Sequence, residues 1–110
     1  MNAERAGIIA AGVVALFCFA ASAFGDDAHT IVQQGRGFHP GDVTIRAGET
    51  LDFPNRDEFI HQIYVDTPGF SYDSEEQQPG QTFHIRFPNA GTYQVKCHIH
   101  PKMLLIVHVQ

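Results

Sequence analysis

The chain has 110 residues, with 12 Asp and Glu against 7 Lys and Arg, a net charge of −5 with histidine neutral, and 44% hydrophobic residues. An acidic balance of this kind gives nucleic acid no basic surface to bind, so nucleic acid is not an expected partner. The length allows one small domain with a modest core, a size at which a metal or a cross-link is a common source of stability.

The N-terminus reads as an export signal. Arg5 supplies a short charged region, Ala6 to Phe19 an apolar run, and Ala21-Ser22-Ala23 a small-residue cleavage site. Residues 1–23 are therefore expected to be a cleaved signal peptide, leaving a single domain over residues 24–110 in the periplasm with no lasting membrane insertion. The apolar run approaches the length of a membrane span, but Gly7, Gly12 and the small-residue tail before Asp26-Asp27 fit cleavage better, and Phe17 before Cys18 argues against a lipoprotein. Processing removes Cys18 and leaves Cys97 as the sole thiol of an exported protein. Exported thiols ordinarily pair, so this one needs another use. The mature part keeps a net charge of −5, because Glu4 and Arg5 leave together.

Beyond the junction, short β-rich runs alternate with turn residues at close spacing, and no repeat or low-complexity segment interrupts them. Strands are expected at Thr30 to Gln34, Asp42 to Ala47, Thr50 to Pro54, Ile60 to Asp66, Thr82 to Phe87, Thr92 to Cys97 and Leu104 to Val109. Gly35-Arg36-Gly37, Ala47-Gly48-Glu49, Pro68-Gly69, Pro79-Gly80 and Pro88-Asn89-Ala90-Gly91 punctuate them. Period-two alternation places Val43 and Ile45, Leu51 and Phe53, Phe83, Ile85 and Phe87, and Tyr93, Val95 and Cys97 on inward faces. Gln94, Lys96 and His98 then face outward. The expected fold class is all-β, an antiparallel Greek-key sandwich of about seven to eight strands.

The chemistry concentrates in KCHIHPKM, residues 96–103. Cys97, His100 and Met103 stand at Cys-x2-His-x2-Met where one strand ends and the last begins, so three potential ligands share one tight loop. Thiolate, imidazole and thioether form a soft set that favours copper over magnesium or calcium; two histidines and a cysteine with a long axial methionine make a blue-copper site. Structural zinc seldom takes methionine. His61, in NRDEFIHQIYV, is the best-placed second histidine, because it opens a strand after a polar turn. His29 lies near the mature N-terminus, His39 in a Pro-Gly turn, His84 on an outward face and His108 near the C-terminus. Singly, each residue also has a plainer role: a core thiol, a core methionine, a surface imidazole.

GFHPGDVTIRAGETLDFPNRDEFIHQI and PGQTFHIRFPNAGTYQVKCHIHPKM together resemble the two halves of a cupredoxin, a small type 1 copper protein of the plastocyanin and amicyanin kind. The short Cys-x2-His-Pro-x-Met loop is most similar to amicyanin. The resemblance implies one copper ion, with His61, Cys97, His100 and Met103 as its ligands. It also implies a monomeric, non-enzymatic carrier of single electrons between redox proteins, such as a dehydrogenase and a c-type cytochrome. Three positions depart from the family pattern: Gln62 stands where Asn often follows the first histidine, His98 where Thr or Ser follows the cysteine, and Ile99 where Pro precedes the second histidine. A copper-sequestering or copper-resistance protein is the competing reading, with His98 and His39 as extra ligands. Multicopper oxidase chemistry lacks its ligands here, since Lys96 precedes the cysteine. Pro101, Phe38 and Pro40 are expected to ring the exposed edge of His100, and Asp73, Glu75 and Glu76 of YDSEEQQ to form an acidic patch facing a basic partner.

Overall fold

The structure, a computed structural model, describes residues 29–110. The expected leader and its cleavage site lie outside the described residues.

Nine strands build the described part: β1 (Val32–Gln33), β2 (Phe38–His39), β3 (Asp42–Ile45), β4 (Thr50–Pro54), β5 (Ile63–Thr67), β6 (Phe70–Asp73), β7 (Thr82–Arg86), β8 (Gly91–Cys97) and β9 (Leu104–Val109). One sheet has five strands in the order β3-β9-β8-β5-β6. Facing it, β4 pairs with β7, and the β1–β2 hairpin joins β4 through the Thr30–Asp52 and Gln33–Asn55 bridges. Only β3–β9 is a parallel pair among these strand pairings. Because successive side chains alternate across a strand, each layer turns one apolar row inward, and the rows meet as a single core.

Alternation names that core well. Leu51, Phe53, Ile85, Phe87, Val95 and Cys97 are all buried, with Leu105, Val107 and Val109 of β9 opposite. Val43 and Phe83 are half-buried at the margin. Burying a side chain the size of Leu105 contributes about 1.5–3 kcal/mol, so the alternating rows of β4, β8 and β9 outweigh any local preference. Tyr93 closes one end by donating its hydroxyl to the Asn89 carbonyl at 2.8 Å, which ties the turn before β8.

The strand expected from Ile60 begins at Ile63 instead. Its first residues take a separate course: the His61 amide donates to the Gln77 carbonyl at 3.1 Å and the Gln77 amide to the His61 carbonyl at 2.7 Å. β2 and β6 were not foreseen. β2 turns Phe38 into the core, edge-on to Phe53 with centroids 6.0 Å apart, so Phe38 is no part of an exposed rim.

Candidate metal centre

Three elements bring the predicted residues together at one end of the sandwich. Cys97 ends β8, His100 and Met103 follow in the turn to β9, and His61 sits just before β5, which pairs with β8. The register Ile63↔Cys97 puts the segment before β5 beside the thiol. His61 Nδ1 lies 3.7 Å from Cys97 Sγ, and both residues are buried. The His100 ring packs edge-on to His61 with centroids 5.0 Å apart. Met103 is 1% exposed, and its amide donates to the His100 carbonyl at 3.0 Å, which closes the ligand turn.

Two further contacts fix the orientation of these groups. The Gln62 amide donates to Cys97 Sγ at 3.3 Å, a hydrogen bond that stabilises charge on sulfur. His61 Nε2 lies 2.7 Å from Asp57 Oδ2, on a carboxylate side chain only 6% exposed. An ionised carboxylate only accepts, so Nε2 carries a proton, and Nδ1 is the ring nitrogen that faces the sulfur.

Asp57 is itself gripped by the β1–β2 hairpin. The tip, Gly35-Arg36, has φ of 64° and 57°, as a two-residue hairpin turn of this hand requires. Its two amides donate to the Asp57 carboxylate at 2.6 and 3.0 Å. Burial works to raise the Asp57 carboxyl, but the His61 ring and the two amides outweigh it and hold it below its ordinary 3.8. Sequence reasoning missed Asp57. Its one signal is its place four residues before His61, in a stretch read only as a polar turn.

Behind this shell lies a buried amide network. Gln77 Oε1 accepts from Gln33 Nε2 at 2.7 Å, and Gln77 Nε2 donates to the Phe53 and Gln81 carbonyls at 2.7 and 2.9 Å. Asn55 donates to the Phe59 carbonyl at 2.8 Å, which shapes the loop that carries Asp57 and His61.

Among the described residues, no three His, Cys, Asp or Glu side chains form a closed cage; His61 and Cys97 converge as a pair with His100 against them. His100 Nε2 is buried with no hydrogen-bond partner, an imidazole nitrogen with unused bonding capacity. One thiol, two imidazoles and a buried thioether suit copper in donor chemistry. The extra histidines point elsewhere. His98 is exposed and stacks on Tyr64 at 3.7 Å, with Asp73 3.6 Å from its Nε2, while His39 Nε2 lies 2.9 Å from the Gln34 carbonyl oxygen.

A small β-sandwich with a buried cysteine and two imidazoles at one end defines a class of metal-binding domain, and the chain's relatives agree. The model of the cupredoxin-like domain matches residues 7–107, and the chain belongs to that family. It is 31% identical to the chloroplastic plastocyanin of Tetradesmus obliquus over 89% of this chain and 72% of that one. It is 33% identical to the methylamine utilization protein MauL of Methylophilus methylotrophus, over 66% of this chain and 44% of that one. The amicyanin of Paracoccus versutus superposes with a TM-score of 0.70 at 27% identity, over 82% of this chain and 88% of that one. The chain spans less than half the length of several of the curated relatives it matches.

Proposed function

We propose that this protein carries single electrons on one type 1 copper ion held by His61, Cys97, His100 and Met103. Copper bound there supplies a one-electron Cu(I)/Cu(II) couple. The chain's own residues do the rest. Asp57 holds His61 in one tautomer, the Gln62 amide steadies the Cys97 sulfur, and the paired sheets keep both from moving when charge changes. Little rearrangement on electron transfer means a small barrier. The edge of His100 is the proposed point of entry and exit, since that residue alone of the four is not fully buried.

The observation that carries this reading is the meeting of His61 Nδ1 and Cys97 Sγ at 3.7 Å beneath His100. Export to the periplasm with cleavage after residue 23, a monomeric state, and redox partners such as a dehydrogenase and a c-type cytochrome belong to the same proposal. They are supported by the leader pattern and by likeness to amicyanin and MauL. No helix among the described residues is long and apolar enough to cross a membrane. The proposal includes no enzymatic step.

The test is to load the purified mature protein with copper and record its visible and EPR spectra. An intense thiolate-to-Cu(II) band is expected, and Cys97→Ser should abolish it. A band that persists in Cys97→Ser would sink the assignment.

A further inference from the structure

The net charge of the chain is negative, yet the surface over His100 is not. A groove of about 480 Å³ opens there, lined by Gly35, Arg36, His100, Pro101 and Lys102, with two cations and no carboxylate in its lining. Arg36 is held in place twice: its amide is bonded to Asp57, and its guanidinium lies over the Phe59 ring at 4.3 Å. Phe59 in turn meets His100 edge-on at 6.0 Å. Phe59 and Ile99, the latter next to His100 in sequence, are exposed large apolar side chains. Two carboxylates lie nearby without entering that lining: Asp57, only 6% exposed and bonded to His61 and to the Gly35 and Arg36 amides, and Glu58, exposed next to Phe59 in sequence. Asp66 and Asp73 line a separate groove with Tyr64, Tyr72 and His98, on the outer side of β5 and β6.

We infer that the His100 face docks a redox protein that presents carboxylates around its own electron port. The inference rests on the copper reading and names the partner's chemistry. Apolar contact at Phe59, Ile99 and Pro101 excludes water around the imidazole edge, and Arg36 and Lys102 supply the charge that orients an acidic partner. A cation already held in place loses less freedom on contact than a mobile one, so its pairing with a carboxylate costs less. The acidic patch of YDSEEQQ, expected from sequence to face a basic partner, has Asp73 in the other groove, where it accepts from the Gln62 side chain and lies 3.6 Å from His98 Nε2.

The test uses copper-loaded, reduced protein and two small oxidants of opposite charge, each taking one electron: the hexacyanoferrate(III) anion and the tris(phenanthroline)cobalt(III) cation. At low salt, Arg36→Gln with Lys102→Gln should slow the reaction with the anion about fivefold to tenfold and leave the cation as fast or faster, a difference that added salt erases. Arg36→Lys, which keeps the charge, should keep the anion rate. An intact thiolate band with an unchanged ratio of the two rates would overturn the docking surface alone, as would an equal loss with both oxidants. A wild-type protein without the band would overturn the copper reading and this one with it.

Discussion

Replacing Gln77 by Met tests how much the buried amide network stabilises the fold behind His61. The side chain is fully buried and the two residues are close in volume, so the change removes hydrogen bonds with little cavity. It strands the Gln33 amide nitrogen, whose bond to Gln77 is 2.7 Å, whereas the Phe53 carbonyl keeps its place in the β4–β7 ladder opposite Phe83 and the Gln81 carbonyl, on an exposed residue, can turn to water. A buried group left without a partner costs about 1–3 kcal/mol, and that is the expected loss. At about 4–8 °C per kcal/mol for a domain of this size, Tm should fall by about 4 °C or more. Urea unfolding of the apoprotein should show a lower midpoint at unchanged slope. Gln33→Leu combined with Gln77→Met removes both ends of one bond and should restore part of the loss. A single-variant loss under about 0.5 kcal/mol, the ordinary effect of a surface change, would refute the reasoning; so would a double variant worse than the sum of the singles.

Met103→Gln should keep copper but lower the reduction potential and shift the spectrum, because an oxygen donor favours Cu(II) more than a long thioether does; a change in thermal stability alone would make Met103 a packing residue. Asp57→Asn should weaken copper binding about 10- to 100-fold in a competition titration, as loss of such an anchor does elsewhere, and undiminished affinity would count against the anchor. Because the Asp57 carboxyl is held below 3.8, its stabilising effect is present above the ordinary carboxylate range and lost as pH falls through its depressed value. Acid unfolding of the apoprotein, followed by circular dichroism, should therefore show a dependence below about pH 4 that Asp57→Asn reduces. His98→Ala should retain the thiolate band with at most a modest shift in potential, whereas His100→Ala should strongly alter the spectrum and admit added imidazole; the reverse order of damage would contradict both assignments.

Much of this was legible in the sequence where one physical rule dominates. Tyr93, Val95 and Cys97 alternate with polar residues because β8 lies between two partners with one face on the core, and the period alone identifies the buried row. The same rule sends His98 outward one step after Cys97. Where pairing is brief, the pattern has nothing to work on. β2 has two residues, too few for alternation to choose a face, so the expected rim position of Phe38 gives way to a buried one against Phe53. The strand at His61 was started too early, because Ile60 and His61 look like its continuation but are held by a lone bridge to Gln77. Asp57 was invisible for a different reason. Its role depends on two amides from a turn more than twenty residues away, and no local period encodes such a contact.

The tip of the β1–β2 hairpin has one more implication. Exposed two-residue turns are ordinarily convenient places to insert an epitope or a fusion joint. Here a single added residue between Gly35 and Arg36 would swing both amides off Asp57 and lift the guanidinium from Phe59, disturbing both histidines in one cut. The Pro68-Gly69 turn joining β5 to β6 is the better insertion point, since the space around Gly69 is open and neither residue takes part in the contacts around Cys97.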